Sequence, residues 1–229
     1  MKRKARIKSH RKAKTLTRDI KKIEKYNELK ERVISSNCQY CPLWQYRNKI
    51  VFDRGKNNRV LALGEAPGAQ ESLEGKPFVG QSGKLLNSML KEVGIDHRKI
   101  VIGNAVRCRP VNNRTPTPEE VKRCHFILKR QIQLLKPRMI LFLGNTALRG
   151  AMRPEYAWMI RSVSKCAGLS LQRLFKEEYV YPEFWTPESF VIYHPAYILR
   201  NRSKKDDWLE LARKFAKRCM ILELDIFTE

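Results

Sequence analysis

Short apolar runs that alternate with helical segments constrain the fold of this chain more than any other feature. Four such runs end at Gly, Asn or His and cover residues 59–63, 100–104, 138–143 and 190–193. Segments with helical start signals or apolar residues every three or four positions follow them, at 82–93, 117–135, 145–151 and 206–222. Apolar strands that alternate with helices are typical of a parallel sheet covered on both sides. The sequence therefore predicts an α/β fold: a three-layer α/β/α sandwich around a four-stranded, mainly parallel sheet.

The charge is concentrated at the amino end of the chain. Residues 1–30 carry 13 Lys and Arg but only 3 Asp and Glu, and a stretch with almost no apolar residue, 1–14, predicts a disordered basic arm. Apolar positions from 16 to 33 then predict a helix. We expect a basic arm and helical extension at 1–34, a single domain at 35–222 and a tail at 223–229. An aromatic-rich segment at about 150–189 breaks the alternation and is expected to be an ordered insertion.

The composition indicates an anionic partner. A net charge of +24 in 229 residues is typical of nucleic-acid binding, although charge alone does not separate an enzyme from a ribosome-binding or structural DNA-binding protein. The sequence has neither an apolar run of membrane-spanning length nor an export signal. Six cysteines in such a chain indicate a reducing compartment: the cytoplasm or nucleoid, or the nucleus if the source is eukaryotic or viral. We expect a monomer without a membrane partner.

Four of the cysteines are candidate metal ligands. Cys38 and Cys41 form a CxxC pair, and Cys108 and Cys124 follow downstream with fifteen residues between them. That spacing does not form the second knuckle of a zinc ribbon, but four thiolates hold either zinc or a [4Fe–4S] cluster. The alternative is that Cys108 and Cys124 are buried apolar residues. Two further cysteines are expected to pack in the core: Cys166 and Cys219.

The strand ends carry the candidate catalytic side chains, because ligands of such sheets bind beyond the carboxyl ends of the strands. Glu65 follows the first strand in a Gly-rich turn, where a carboxylate can act as a base or stabilise charge. Asn104 ends the second strand, and its amide can pair with a planar ligand edge. His194 follows the fourth strand and is equally consistent with a structural role. Phe78 is either a core residue or a stacking platform.

Five motifs together resemble the family 4 uracil-DNA glycosylases over roughly residues 35–222, apart from the insertion. They are Gly64-Glu-Ala-Pro-Gly68, Gly75-Lys-Pro-Phe-Val-Gly80, Asn104-Ala-Val-Arg-Cys-Arg-Pro110, Asn113-Arg-Thr-Pro116 and His194-Pro-Ala-Tyr-Ile-Leu-Arg200. The four candidate cysteines lie where that family has its iron–sulfur ligands. The basic arm, the insertion and a less acidic segment at 69–72 depart from the family pattern.

The resemblance implies an enzyme that flips uracil out of double- or single-stranded DNA and hydrolyses its N-glycosidic bond. It implies the catalytic residues Glu65 and His194, and uracil contacts from Gly64, Ala66, Phe78 and Asn104. It further implies DNA contacts from Arg107, Arg109, Arg114, Ile198, Leu199 and Arg200, with Ile198 or Leu199 as the wedge that replaces the flipped base. The implied cofactor is one [4Fe–4S] cluster on Cys38, Cys41, Cys108 and Cys124. Two alternatives remain at this stage: a catalytically inactive DNA-binding adaptor and a zinc-stabilised RNA-binding protein.

Overall fold

A five-stranded sheet forms the centre of the molecule in a computed structural model that describes residues 21, 23–55, 59–160, 162–185 and 188–228. Its strands are β1 (Asp53–Arg54), β2 (Val60–Gly64), β3 (Val101–Asn104), β4 (Met139–Leu143) and β5 (Glu188–Ile192). The order across the sheet is β1-β3-β2-β4-β5, and all neighbours are parallel except β1, which is antiparallel to β3. The predicted fold class is confirmed. The sequence missed β1, because two residues are too few to show an apolar pattern.

The helices of the described residues surround this sheet. They are α1 (23–35), α2 (Ala69–Glu74), α3 (Gln81–Glu92), α4 (Pro118–Leu135), α5 (Asn145–Arg149), α6 (Leu171–Leu174), α7 (Pro182–Trp185), α8 (Pro195–Arg200) and α9 (Lys205–Ile221). The four predicted strands and the four predicted helices of the core each lie within two residues of their expected ends. The predicted basic arm at 1–14 and the start of the first helix at 16–20 lie outside the described residues.

Alternate residues of β2 face opposite layers, as the twofold period of a strand requires. Val60 and Ala62 pack with α3 and α9, whereas Leu61 and Leu63 pack with α4 and α5. These four side chains are fully buried, so the sheet has an apolar layer on each side. The three-layer sandwich follows from this double burial.

The longest helix begins at the residue that the sequence predicted. Thr117 Oγ1 accepts a hydrogen bond from the Glu120 backbone N–H at 3.2 Å, and the Glu120 carboxylate accepts one from the Thr117 N–H at 2.8 Å. This reciprocal capping box satisfies two amide groups that the first turn leaves open, and Pro118 occupies the first helical position, where no N–H is needed. The helix thus starts at a fixed point, about two turns before Cys124, one of the four candidate ligands.

Two peripheral segments also contribute to the core. The described part of the 150–189 insertion buries Val163, Cys166, Leu171 and Phe184 against the layer of α4 and α5. A third apolar cluster joins Val33 of α1 to the segments that carry Cys108 and Cys124. Both segments are therefore ordered parts of the sandwich.

The chain reverses its direction across the sheet at β2. From β2 it passes to β3 on one side, and then crosses back to β4 on the other side. The carboxyl ends of β2, β3 and β4 consequently border a topological switch point, where open α/β sheets bind their ligands.

Candidate active site and thiol cluster

Three side chains from separate elements meet at this edge. A methyl group added to Gly64 would lie 2.6 Å from Asn104 Oδ1 and 2.5 Å from Phe78 Cζ, so only glycine fits there. The Phe78 and His194 ring centroids are 5.9 Å apart. The structure thus brings together Asn104 and the two residues for which the sequence left a structural alternative open, Phe78 and His194.

His194 is a neutral hydrogen-bond donor. Its Nδ1 accepts the Ala196 backbone N–H at 3.1 Å and thereby caps α8. The proton of the neutral ring is then on Nε2, a buried atom without a partner in the described structure. Burial, with a smaller contribution from Arg200, lowers the pKa of His194 to about 4. The imidazole therefore stays neutral near pH 7 and has one N–H available for a ligand.

Asn104 presents a second open polar atom. The residue is 1% exposed, and its Oδ1 has no hydrogen-bond partner among the described residues. A buried acceptor without a partner costs about 1–3 kcal/mol. Asn145, the first residue of α5, also has a buried Oδ1 without a described partner. Unpaired polar atoms that cluster at one strand edge indicate a site whose ligand supplies the missing bonds.

The loop that carries Phe78 is held by Glu71, a residue whose role the sequence did not reveal. The Glu71 carboxylate accepts the backbone N–H groups of Val79 at 2.9 Å, Gly80 at 2.8 Å and Gly68 at 3.1 Å. These bonds hold Phe78 at a φ of 54°, a left-handed conformation that is costly for a bulky residue. In the sequence, Glu71 was noted only as part of the segment at 69–72 that departs from the family pattern.

Glu65 is fixed by a neighbour that the sequence analysis also missed. The Thr146 hydroxyl donates a hydrogen bond to Glu65 Oε2 at 2.5 Å. Thr146 is buried and lies in the first turn of α5, directly after β4. The sequence could have suggested Thr146 as a site residue, because it follows a parallel strand. The other three predicted strands each had a candidate site residue at that position.

Two of the predicted DNA contacts lie in the interior of the structure, which disagrees with a role at the DNA surface. Arg107 is 1% exposed; its terminal nitrogens donate to the Phe52 carbonyl at 3.1 Å and to the side-chain oxygen of Gln131. A guanidinium enclosed in this way does not reach a phosphate. Ile198 is 2% exposed and packs in the core below α8, so it is not available as a wedge.

The remaining DNA candidates stay at the surface. Leu199 is half-buried and Arg200 is exposed at the end of α8. Arg109 donates to Asn113 Oδ1 at 2.8 Å, and Arg114 forms two hydrogen bonds to Glu120 at 2.6 and 2.8 Å. These positions are compatible with phosphate contacts, but for Arg114 a phosphate would have to share or replace the Glu120 carboxylate.

The four candidate metal ligands line one small enclosed cavity. Cys38, Cys41, Cys108 and Cys124 border it together with three guanidinium groups, those of Arg47, Arg107 and Arg123. Cys166 and Cys219 are buried in the two main core layers, as predicted. Burial raises the pKa of the Cys108 thiol to about 11 and that of Cys124 to about 12. Without a bound metal these two groups would thus remain protonated.

The donor set fits a thiolate-bound metal group. Arg47 Nη1 lies 3.5 Å from Cys108 Sγ and donates to the Cys38 carbonyl at 2.6 Å. The guanidinium charges would offset the negative charge of four thiolates. Within the described residues, no three His, Cys, Asp or Glu side chains form a compact group suited to a single metal ion. Four cysteines around one cavity are a donor set that both a zinc ion and an iron–sulfur cluster use.

Comparison with known proteins agrees with this arrangement. The profile of the Uracil DNA glycosylase superfamily matches residues 52–216. The chain is 38% identical over 195 residues to the type-4 uracil-DNA glycosylase of Thermotoga maritima, with 82% of this chain and 93% of that protein covered. For the type-4 enzymes of Sulfurisphaera tokodaii and Archaeoglobus fulgidus the identities are 36% and 32%; the alignments cover 78% and 86% of this chain, and 78% and 94% of those proteins.

The chain belongs to the uracil DNA glycosylase superfamily. Within it, these similarities place the chain in the type-4 family. In the part of the chain that the structure describes, no helix is both long and apolar enough to cross a membrane.

Proposed function

We propose that this chain is a DNA repair glycosylase that hydrolyses the N-glycosidic bond of uracil in DNA and leaves an abasic site. The observation that carries the proposal is the pair of buried, unpartnered polar atoms, Asn104 Oδ1 and His194 Nε2, near the Phe78 ring. A base inside a duplex cannot reach these buried atoms. The enzyme must therefore flip the nucleotide out of the stack, at a cost of a few kcal/mol.

We assign recognition of the flipped base to Phe78 and Asn104. The Phe78 ring stacks on uracil, and the Asn104 amide pairs with the O4 and N3–H edge. Cytosine presents the opposite donor and acceptor pattern at those two atoms, so its entry leaves buried polar groups unpaired. Mismatches of this kind give discrimination on the order of 10⁴. Gly64 and Ala66 contribute the backbone of the turn, where the absence of a side chain at Gly64 leaves room for the base.

The bond-breaking step needs stabilisation of two opposite charges. As the glycosidic bond lengthens, its electron pair moves into the uracil ring and O2 becomes negative, while the sugar becomes cationic. The neutral His194 donates its Nε2–H to O2, and one such donor is typically worth about 2.7–4 kcal/mol. The Glu65 carboxylate, held by Thr146, orients the attacking water or stabilises the sugar cation.

Contacts with the rest of the DNA come from the surface side chains. We assign the wedge to Leu199, since Ile198 is buried, and phosphate contacts to Arg109, Arg114 and Arg200. The partner is uracil-containing DNA, double- or single-stranded. We further propose that the enzyme acts as a monomer in a reducing intracellular compartment, where buried thiols stay available for a metal.

We also propose that Cys38, Cys41, Cys108 and Cys124 hold one [4Fe–4S] cluster. The cluster would supply a covalent cross-link between the 38–41 segment, the 108 loop and α4, and no electron transfer is needed for hydrolysis. Protein purified without oxygen should contain about four irons per chain. Cys108→Ala should lose the iron and the visible absorbance, whereas Cys166→Ala, which removes a buried thiol elsewhere, should keep both. One zinc per chain with no iron would contradict the assignment.

Single-turnover cleavage of matched oligonucleotides tests the function. Duplexes with uracil, thymine, hypoxanthine or no lesion at one position should show rapid excision of uracil and none from the undamaged strand. Asn104→Ala should lose most uracil excision while duplex binding stays nearly intact. Asn27→Ala, an exposed asparagine on α1, is the matched control. A wild-type protein that binds these duplexes but excises no uracil would instead be an inactive DNA-binding module.

A further inference from the structure

A large groove lies at the opposite edge of the sheet from the candidate active site. It has a volume of about 1700 Å³ and runs between α1, β1 and the residues that precede the parallel strands. Arg59 stands directly before β2 and Arg138 directly before β4. The groove therefore borders the amino ends of the strands, whereas Glu65, Asn104 and His194 lie at the carboxyl ends. We call it the amino-edge groove.

The lining of this groove is strongly basic. It includes ten Lys or Arg residues but only three Asp or Glu. Lys30 and Lys99 pair with two of these acids, Asp53 and Asp225. Four other cations are exposed and form no salt bridge within the described residues: Lys49, Lys76, Lys136 and Arg138. A concave surface with several uncompensated cations attracts a polyanion.

These four cations belong to three separate segments. Lys49 lies against Gly75, where an added methyl group would stand 3.3 Å from Lys49 Cδ, which brings Lys49 close to Lys76. Lys136 ends α4 in a left-handed conformation, and Pro137 and Arg138 follow before β4 begins. The charges are thus placed on ordered backbone on both sides of a concavity, and they do not form a single run of solvated lysines.

The two sites face opposite directions. A parallel strand of five residues spans about 17 Å, and the sheet with its helices lies between the two edges. A straight duplex whose uracil is in the pocket therefore does not reach the amino-edge groove. A polyanion bound in that groove is therefore a separate segment from the duplex at the active site.

We propose that the amino-edge groove binds the phosphate backbone of a second duplex DNA segment while the first is in the active site. This inference rests on the proposed function, which brings the protein to DNA. Binding there is independent of base sequence, because cations of this kind contact phosphates and not base edges. Held in this way, the enzyme bridges two DNA segments and can pass from one to the other without being released into solution.

The test compares two quadruple variants of the full chain with equal loss of charge. The groove variant is Lys49→Gln, Lys76→Gln, Lys136→Gln and Arg138→Gln. The control variant replaces four exposed cations elsewhere by Gln: Lys91, Lys122, Arg213 and Lys217. Both variants keep residues 1–20, so any contribution from the basic arm is the same in each.

Bridging is measured by energy transfer between a short donor-labelled uracil duplex and a short acceptor-labelled undamaged duplex. Wild type and control should bring the two together, and the groove variant should lose most of the signal. The slope of log affinity for the second duplex against log salt should fall by about 0.9 for each contact removed. Single-turnover excision from the short uracil duplex should be the same in all three proteins.

Two results would overturn the inference. One is equal bridging by the groove variant and the control. The other is displacement of the second duplex by polyglutamate at lower concentration than by competitor duplex, which would indicate an acidic protein partner. A failure of the proposed function would look different from either result. In that case the wild-type protein would not excise uracil from the short duplex.

Discussion

The molecule has two groups of buried polar side chains that differ in how many of their polar atoms have a hydrogen-bond partner. Around Arg107, the guanidinium donates to Phe52 and Gln131, and the Gln131 amide donates to Asp53 at 2.7 Å and to Tyr26 at 2.9 Å. Only Arg107 Nε lacks a described partner there. At the carboxyl edge of the sheet, by contrast, Asn104, Asn145 and His194 each keep a buried atom unpaired.

This difference indicates that the polar atoms around Arg107 stabilise the fold, whereas those at the carboxyl edge are available to a ligand. Internal hydrogen bonds in the Arg107 network join β1, α4 and α1 through its partners, so its polar atoms contribute to the fold. The open atoms of the carboxyl edge cost stability until a ligand binds. Mutations in the two groups should therefore have opposite effects on stability and on catalysis.

The largest effect is expected for His194→Ala. Loss of the donor to uracil O2 should slow single-turnover uracil excision by about 10²–10³-fold, the usual loss for one such donor. Duplex binding should change much less than the rate, although His194 also caps α8, which carries Leu199 and Arg200. A rate within a few fold of wild type would show that this open atom is not catalytic and would break the comparison.

Gln131→Ala is the matched change in the satisfied network. It leaves Arg107 and Asp53 without a shared partner, and the free energy of unfolding should fall by about 1–3 kcal/mol. Denaturation with urea measures the loss. The excision rate below the unfolding transition should stay near that of wild type, since no residue of this network reaches the pocket.

Asn104→Ala should have the reverse effect of Gln131→Ala: catalysis is lost and stability is kept. Removal of a buried acceptor that has no partner should leave the free energy of unfolding unchanged or raise it slightly, by up to about 1 kcal/mol. Uracil excision should nevertheless be lost. If the variant unfolds more readily than Gln131→Ala, Asn104 has a structural role that the geometry does not reveal.

The smallest expected change in the excision rate is its response to pH through His194. Because burial lowers the pKa of His194 to about 4, the excision rate should show no inflection near 6.5, the ordinary histidine value. The unfolded chain binds a proton at His194 below pH 6.5 but the native protein does not. Stability should thus fall as pH drops from about 6.5 to 4, and this part of the fall should be absent in His194→Ala.

Much of the sandwich could be predicted from the sequence, because its strands are buried on both faces and its helices carry regular apolar spacing. The end of β4 at Gly144 and the start of α4 at Thr117 follow from local chemistry. The two-residue β1 could not be predicted, since its pairing with β3 depends on the position of a distant segment.

The site was predicted in part. Strand-end positions and motifs suggested Glu65, Asn104 and His194 as candidates, and the structure places all three at the carboxyl ends of the strands. The burial of Arg107 and Ile198 could not be predicted, because a motif gives residue type and order but not the direction in which a side chain points. Glu71 and Thr146 were missed for the same reason: each acts through one carboxylate or hydroxyl contact that only the folded chain brings about.

The capping contact of His194 has a mechanical consequence. His194 caps α8, and the proposed wedge, Leu199, lies in the last turn of that helix, only six residues long or about 9 Å. The proposed anion donor and the proposed DNA wedge thus lie at the two ends of one short helix. If DNA displaces the proposed wedge, we expect the displacement to reach the imidazole along the axis of this short helix. In this arrangement, insertion of Leu199 into the duplex and alignment of His194 with uracil would occur together.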